Sequence, residues 1–456
     1  MWSNARARNV GRFVHAGSRS RWCFRGFAAH SPLTSRVTFV DVADGLFFPL
    51  AGRLGLPVRS AVTPKMLQKM VWAGSNLGSY AMAEEAMREL AGESVSARRI
   101  RRVVGQVGTQ RVAERNAMVE QFKEMDLPKQ RVGSAAVDPP QIAVVAMDGG
   151  RYQRRDHFGE KDRPAREKHW REDKVGCLLS MSGPRHESDP TPELPEWLAT
   201  SSAVAELAKM AEKQGDFEAS APLEERPAET SDAGVYPPPR LVSREVVASS
   251  AEAESFGWQL VTRAWQMGFP SAERQAFVAD GAHVNWTIQR KHFSHATAIL
   301  DLMHALSYAY SAALAVPEQE VFRRWAGWIW VGEVRRVIVA LRERQGQIGK
   351  PPADASPSDP RQRVDRALTY YEYHQSRMDY PEYRRLGLPL TSSHIESTIK
   401  QINRRVKGSE KFWSKATSEA ILQLRADYLS GSAPLASFWG RHQARQTGAN
   451  TYAQGT

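Results

Sequence analysis

Three acidic residues occupy sequence contexts that could place them together around divalent cations. Asp148 and Asp280 each follow a short apolar run rich in Val and Ala, and glycine follows each of them. Such runs predict buried strands, so both carboxylates are expected at strand ends. Glu396 begins a segment with helical spacing. Carboxylate oxygens suit Mg²⁺ or Mn²⁺, and two such ions roughly 3.5–4 Å apart can activate one oxygen and stabilise another in phosphodiester chemistry.

Each of these acids also has a purely structural interpretation. An Asp before Gly is commonly a turn residue. Ser393 stands three residues before Glu396, which is the spacing of a helix capping box in which the acid only binds backbone. Local sequence alone leaves both interpretations open.

Basic residues follow Glu396 at helical spacing. We expect them to be exposed and to contact nucleic acid, as a two-metal site acting on DNA would require. They are Lys400, Arg404, Arg405 and Lys407.

A second basic group lies in a segment that resembles a helix-turn-helix. Pro64 can begin a helix, Gly92 can end the next one, and Ser94 or Ser96 can cap a third. Ile100 and Val103 are expected to face the core of this third helix. Arginines flank them, and a solvated basic face is the alternative to DNA contact. These arginines are Arg98, Arg99, Arg101 and Arg102.

The composition agrees with a nucleic-acid-binding protein. The chain has 456 residues, a formal net charge of +12 and 42% hydrophobic residues, and its pI is near 9.7. Two cysteines, Cys23 and Cys177, exclude a disulfide framework. No apolar run approaches the roughly 20 residues that cross a bilayer. We therefore predict a soluble, cytoplasmic protein associated with the nucleoid.

The chain divides by composition and periodicity. Strands are predicted at 141–147, 175–181 and 275–279, a helix at about 249–267, and continuous helix from 296 to about 347. The residues 183–240 hold twelve acidic residues and nine prolines, and we interpret them as a passive surface insertion with one helix at 201–213. The predicted segments are a basic disordered arm (1–36), a linker or small module (37–62), a helix-turn-helix region (63–135), an α/β core (136–182 and 241–295), the acidic Pro-rich insertion (183–240), a helical insertion (296–384), the Glu396 helix with the end of the core (385–432) and a tail (433–456).

The order of several short blocks resembles that of insertion-sequence DDE transposases of the ISKra type, which are related to the Mutator-like group. The resemblance runs from about Phe47 to Trp439, and no single block is specific. The blocks include Phe47-Phe-Pro, Met147-Asp-Gly-Gly, Trp170-Arg-Glu-Asp-Lys-Val, Val278-Ala-Asp-Gly-Ala, Ile299-Leu-Asp-Leu-Met-His, Gly387-Leu-Pro, Ile395-Glu-Ser, Arg405-Val-Lys and Leu424-Arg-Ala-Asp-Tyr-Leu-Ser.

The resemblance implies an RNase H-like α/β core, a mixed sheet flanked by helices, with an all-α insertion before Glu396 and an N-terminal helix-turn-helix region. It implies that Asp148, Asp280 and Glu396 are the catalytic triad and hold two Mg²⁺ or Mn²⁺ ions. The partners would be double-stranded DNA, as inverted-repeat ends and as target, in a homodimer or larger assembly with no membrane contact.

Three further residues take roles from the resemblance. Asp301 and His304 match an Asp-x-x-His pair that lies near the site in related superfamilies. For His304 a buried, hydrogen-bonded role is the alternative. Trp286 could stack on a flipped base at the transposon end, or pack in the core.

The resemblance leaves other functions open. A domesticated or inactive DNA-binding relative would keep the fold without the reaction. An RNase H-like nuclease would share the metal chemistry and cut without joining.

Overall fold

The structure is a computed structural model that describes most of the chain. The described residues are 63–155, 170–199, 201–213, 236, 238–318, 320–408 and 410–447, with two short strands, β1 (Val40–Val42) and β2 (Gly45–Phe47). The predicted arm at 1–36, most of the module at 37–62 and the stretch 214–235 of the acidic insertion lie outside them. Two units are distinguished, Gln68–Phe438 and the terminal segments Met1–Leu67 with Trp439–Thr456. In the terminal unit, β1 and β2 pair antiparallel.

The larger unit combines one mixed sheet with many helices. Its strands are β3 (Ile142–Arg154), β4 (Trp170–Ser182), β5 (Arg240–Ser249), β6 (Arg274–Ala279), β7 (Thr297–Leu300) and β8 (Phe412–Trp413). The helices up to β7 are α1 (Pro64–Asn76), α2 (Tyr80–Ala91), α3 (Ala97–Lys123), α4 (Leu127–Val132), α5 (Ser201–Lys213), α6 (Ala253–Gln266) and α7 (His283–His292).

The later helices form the predicted insertion and the end of the chain. They are α8 (Leu302–Ala313), α9 (Val321–Trp330), α10 (Val334–Ile348), α11 (Pro360–His374), α12 (Tyr380–Arg385), α13 (Ser393–Val406), α14 (Lys415–Leu429) and α15 (Pro434–Thr447). Short 3₁₀ turns lie at Glu196–Ala199, Phe269–Ser271 and Gln375–Arg377.

The sheet has the strand order β5-β4-β3-β6-β7, and β8 pairs with the end of β3. The pairs β3–β4 and β4–β5 are antiparallel, whereas β3–β6 and β6–β7 are parallel. Helices flank this mixed sheet, which confirms the predicted α/β class of the core.

Helices cover both faces of the central strands, which explains their continuous apolar runs. Ile142 through Met147 are each at most 2% exposed. On one face the Cys177 thiol lies 3.3 Å from the Thr398 hydroxyl of α13. Gly176, the residue before Cys177, faces the other side of the sheet, where it lies against Leu260 of α6.

Four predicted boundaries are wrong. Strand β3 continues through Asp148 to Arg154, because β4 pairs with it along this whole length. The helix predicted from 249 begins at Ala253, since the preceding residues form β5, which was not predicted. The helical insertion begins with the strand β7. The predicted tail contains α15, whose Leu435 and Phe438 are buried.

The N-terminal helices form with the predicted caps at Gly92 and Ser96. Gly92 ends α2 with a φ of 66°. The Ser79 hydroxyl, which was not predicted as a cap, accepts a bond from the Met82 amide. The Ser96 hydroxyl caps α3, in which Ile100 and Val103 are buried as predicted. Helix α3 has 27 residues, and its later turns extend over α14.

Helix α3 approaches α14 closely at Gly108. A Cβ there would lie 2.7 Å from the Ala420 carbonyl oxygen, whereas one at Gly105 would meet nothing within 4 Å. Nearby, Arg111 forms a buried ion pair with Asp427 of α14 at 2.8 Å. The arginine-bearing helix is therefore anchored to the core.

Substitution at Gly108 is predicted to weaken this contact. Gly108→Ala should lower the free energy of unfolding by about 1–3 kcal/mol, because backbone atoms must shift to admit the methyl group. Gly105→Ala on the same helix is the control and should raise it by up to about 1 kcal/mol through helix propensity. Urea unfolding of the two variants measures both, and equal effects would contradict the proposed close approach.

The start of the acidic insertion is more than a passive surface loop. Arg384 is fully buried and pairs with Asp189 at 2.5 Å. The Trp330 indole donates to the Thr191 carbonyl at 2.9 Å. Residues 183–199 are thus tied to the helical insertion, and the predicted helix at 201–213 is confirmed as α5.

Candidate functional site

The sheet places Asp148 and Asp280 side by side. Met147 of β3 is in register with Ala279 of the parallel strand β6. Asp148 follows Met147, and Asp280 follows Ala279. The backbones of the two acids are therefore one strand spacing apart, about 4.8 Å. The expected meeting of these two acids at one end of the sheet is confirmed, although Asp148 lies within a strand.

The carboxyl group of Asp148 is strongly influenced by its surroundings. Burial, followed by the negative charge of Asp280, raises its pKa from 3.8 to about 7. The charge of Glu396 adds to this rise, while His304 and a 2.6 Å hydrogen bond from the Gly149 amide oppose it. The charges of Asp280 and Glu396 thus both act on the Asp148 carboxyl group, that of Asp280 more strongly.

Asp280 is held by the start of the helix that follows it. Its Oδ1 atom accepts hydrogen bonds from the Ala282 amide at 2.9 Å and from the Asn285 side chain at 2.7 Å. Asn285 is 2% exposed. Sequence analysis did not single out Asn285. The one signal for it was its position five residues after Asp280, near the start of the helix that follows this acid.

Glu396 lies in the first turns of α13. The capping-box interpretation, which required Ser393 to be the N-cap, is wrong. The N-cap is Ser392 rather than Ser393, and the Ser392 side chain makes no capping bond. The Ser392 hydroxyl instead donates to Asp301 Oδ2 at 2.8 Å.

Asp301 connects three elements of the site from a fully buried position. Its amide bonds the Ala279 carbonyl at 2.9 Å, beside Asp280. Its Oδ1 atom caps α8 by accepting from the His304 amide at 2.9 Å. Its Oδ2 atom accepts from both the amide and the hydroxyl of Ser392, which precedes the Glu396 helix. Asp301 thus fixes the position of Glu396 relative to Asp280.

His304 is half-buried among the acids. Burial lowers its pKa, but the charges of Asp301, Asp280, Asp148 and Glu396 outweigh this and raise the pKa above the ordinary 6.5. Asp301 bonds the backbone beside Asp280, and the charges of the three acids act on His304, in agreement with the predicted position of this pair near the triad. The raised pKa favours the imidazolium form, whose charge opposes those of the acids.

The donor chemistry of the triad suits a hard divalent cation. Three carboxylates supply oxygen ligands, and their mutual repulsion, visible in the raised pKa of Asp148, is what a bound cation would relieve. Within the described part of the chain, no group of three or more His, Cys, Asp or Glu side chains, the triad included, is arranged closely enough to hold a metal ion.

The predicted DNA contacts divide into exposed and buried residues. Arg98, Arg101, Arg102 and Arg404 are exposed, and Arg99, Lys400 and Lys407 are half-buried. The prediction is wrong for Arg405, which is 2% exposed. Its guanidinium donates to the Gly74 carbonyl at 2.9 Å and lies over the rings of Tyr80 and Trp413.

Trp286 is also not available for base stacking in this fold, because none of its surface is exposed. Its ring packs against Phe277 of β6 and His374 of α11, and the Arg377 guanidinium covers it at 4.5 Å. The core-packing alternative is the one that the structure supports.

Asp173 is a further buried acid that sequence analysis did not single out. It lies opposite Gly150 in the β3–β4 register and is fully buried. Neither carboxylate oxygen has a hydrogen-bond partner among the described residues. Burial, reinforced by Glu172, raises its pKa from 3.8 to about 7, while Lys174 and Lys407 partly oppose the rise.

The raised pKa of Asp173 predicts a pH-dependent stability. The folded chain binds a proton here that the unfolded chain has released, so stability falls as pH rises from about 4 to about 7. Asp173→Asn removes this loss, and its stabilising effect should grow by roughly 2–4 kcal/mol across that window. Denaturant unfolding at pH 5 and pH 8 measures it, with Asp354→Asn in an exposed loop as control. If the unfolding free energies of Asp173→Asn and the wild type differed by the same amount at both pH values, the raised pKa of Asp173 would be contradicted.

Comparison with known proteins does not place the chain in a family. No protein-family model matches the sequence, and no curated protein matches it. Among the described helices, none is both long enough and apolar enough to cross a membrane.

Proposed function

We propose that the protein is a DDE transposase that cleaves and joins DNA at the inverted-repeat ends of an insertion sequence. The observation that carries the proposal is the adjacency of Asp148 and Asp280 on parallel strands, with Glu396 close enough to act on the same carboxyl group. The sheet supports an RNase H-like core, since three antiparallel strands are followed by two parallel ones.

The residues of the site suit phosphodiester chemistry. Asp148, Asp280 and Glu396 would hold two Mg²⁺ or Mn²⁺ ions, which when bound supply charge stabilisation for the attacking and leaving oxygens. Asn285 and the Ala282 amide orient Asp280. Asp301 holds the Glu396 helix through Ser392. The acids themselves need no covalent intermediate, because water and then a DNA 3′-hydroxyl are the attacking groups.

The DNA would be held by exposed basic residues on two helices. Arg98, Arg101 and Arg102 lie in the first turns of α3, whose capped start after α2 supports a helix-turn-helix role. Arg404 lies on the Glu396 helix.

Two transposon ends must be joined in one reaction, so we propose a homodimer or larger assembly on DNA.

Removal of the α3 arginines is predicted to weaken DNA binding. The triple change of Arg98, Arg101 and Arg102 to alanine should reduce the slope of log K against log salt by up to about 0.9 per lost phosphate contact. The control replaces three exposed arginines of α9 and α10, namely Arg323, Arg335 and Arg336. Fluorescence anisotropy with duplex DNA at several salt concentrations measures both, and equal slopes for the two triples would contradict the role of α3.

A strand-transfer assay tests the proposed function against its alternatives. Inverted repeats read from the DNA flanking the gene supply the duplex ends. A transposase cleaves these ends with Mg²⁺ and joins a pre-cleaved end to target DNA. Cleavage without joining would favour an RNase H-like nuclease. Binding without cleavage would favour a domesticated or inactive DNA-binding relative.

A further inference from the structure

An exposed stripe of α7 begins next to Asp280. The Asn285 side chain of this helix donates to Asp280 Oδ1 at 2.7 Å, so α7 starts at the proposed site. His283, Thr287 and Arg290 follow at spacings of four and three residues, which places them on one face of the helix, and all three are exposed. The Thr287 hydroxyl donates to the His283 carbonyl at 3.0 Å, and Arg290 donates to that hydroxyl at 3.4 Å. The stripe thus extends about 10 Å from the first turn of α7.

The end of α11 adds an aromatic ring and a second guanidinium to this stripe. The Tyr373 ring is 45% exposed, and its centroid lies 6.4 Å from that of the His283 ring. Arg377 lies in the 3₁₀ turn after α11, with its guanidinium carbon 5.3 Å from the centre of the Tyr373 ring and 4.5 Å from that of the buried Trp286 ring. Its Nη1 atom donates to the Tyr373 carbonyl at 3.2 Å. The half-buried guanidinium is therefore fixed against two rings.

The two guanidiniums of this surface lack acidic partners. Among the described residues, no ion pair joins Arg290 or Arg377 to a carboxylate, and Glu372 of α11 pairs with Arg342 at 2.7 Å instead. Burial lowers the pKa of Arg377, Tyr373 opposes this change, and the positive charge of Arg290 adds to it. The two positive charges thus act on each other, and an anion bound beside them would relieve their repulsion.

A DNA strand with unpaired bases matches this chemistry. Guanidiniums bind phosphate oxygens through paired hydrogen bonds, and an exposed aromatic ring can take a base stacked on it. The bases of a duplex are stacked on one another and reach a side chain only after they are unpaired. A duplex would therefore use the arginines alone, whereas an unpaired strand would use the arginines and the ring together.

We propose that the surface of His283, Thr287, Arg290, Tyr373 and Arg377 binds a DNA strand with unpaired bases beside Asp280. Phosphates of the strand lie at Arg290 and Arg377, and a base stacks on Tyr373. This inference rests on the proposed function, which makes the bound strand the one next to the cleaved bond. It also gives the helical insertion a part in holding the substrate, because α11 carries Tyr373.

Tyrosine substitutions test the stacking contact with a probe that has no base pairs. The probe is a fluorescein-labelled oligothymidylate of about 12 nucleotides, and its binding is measured by fluorescence anisotropy. Tyr373→Ala should weaken binding about tenfold, whereas Tyr373→Phe keeps the ring and should bind within about twofold of the wild type. The same two changes in the triple-alanine variant of Arg98, Arg101 and Arg102 remove the α3 arginines from the comparison.

Arg290→Ala tests the phosphate contact at an exposed position, where the fold should tolerate the change. The slope of log K against log salt for the same probe should fall by about 0.7, the value of one lost phosphate contact on a single strand. Arg335→Ala is the matched control, because it removes an exposed arginine of α10 and should leave the slope unchanged.

Three results would overturn this surface. They are Tyr373→Ala binding the probe as tightly as the wild type, Tyr373→Phe losing as much affinity as Tyr373→Ala, and Arg290→Ala keeping the wild-type slope. If the wild-type chain cleaves inverted-repeat DNA alongside any of these results, the proposed function stands without the surface. A chain whose variants bind the probe as predicted but whose wild type never cleaves would instead overturn the proposed function and keep the surface.

Discussion

Asp280→Ala is expected to abolish DNA cleavage while DNA binding persists. Asp280 follows the strand beside Asp148, and its charge raises the pKa of Asp148. On the proposed function its loss would remove a cation ligand, so the cleavage rate should fall by roughly three orders of magnitude or more, the scale of losing a group that stabilises transition-state charge. Cleavage of labelled inverted-repeat duplexes in Mg²⁺ measures the rate.

A matched acid elsewhere serves as the control for this variant. Asp354 is exposed in the loop between α10 and α11, and Asp354→Ala should cleave at the wild-type rate. Anisotropy with the same duplex should give similar affinities for wild type, Asp280→Ala and Asp354→Ala, because the proposed basic contacts are unchanged. Cleavage by Asp280→Ala at the wild-type rate would refute the site.

Asp301→Ala is expected to cause the largest loss of stability among single changes near the site. It would leave the His304 amide and both the amide and hydroxyl of Ser392 without their acceptor in a fully buried place. We expect the free energy of unfolding to fall by about 3–5 kcal/mol, the cost of removing one member of a buried charged network. Cleavage by the remaining folded protein should also fall, since Ser392 precedes the Glu396 helix.

The control compares Asp301 with another helix-capping aspartate. Asp359 caps α11 by accepting from the Arg361 amide at 2.8 Å, and its surroundings are less buried. Asp359→Ala should cost about 1 kcal/mol, the usual value of an N-cap. Denaturant titration monitored by tryptophan fluorescence compares the two variants, and similar losses would contradict the connecting role of Asp301.

The sequence allowed the central elements to be predicted where the signal was local. The segments 142–147 and 276–279 are continuous apolar runs, and Asp148 and Asp280 follow them at neighbouring positions of β3 and β6. The caps Gly92 and Ser96 could be predicted because each uses a residue type that its backbone position favours.

Other elements could not be predicted because their causes are tertiary. Strand β7 has only four residues and leads directly into a helix, so its periodicity is indistinguishable from that of the helix. Strand β5 pairs with β4 along its length, but its first half is polar and partly exposed and only its second half is buried, so its sequence shows no strand-length apolar run. Trp286 and Arg405 carry side chains typical of DNA contact, and only the packing of α11, α1 and β8 around them shows that they are buried.

The residues that position the site were likewise hidden from sequence analysis. Ser392 and Asn285 are common polar residues, and their importance arises from bonds to Asp301 and Asp280 across gaps of 91 and five residues.

Direct titration of the protein with Mn²⁺ tests the central claim, that Asp148, Asp280 and Glu396 together hold divalent cations. Isothermal titration calorimetry at pH 8, where Asp148 is mostly ionised, compares the wild type, the alanine variant of each acid and Asp354→Ala. We predict Mn²⁺ binding by the wild type and Asp354→Ala and its loss in all three triad variants. Unchanged Mn²⁺ binding by the triad variants would contradict the account.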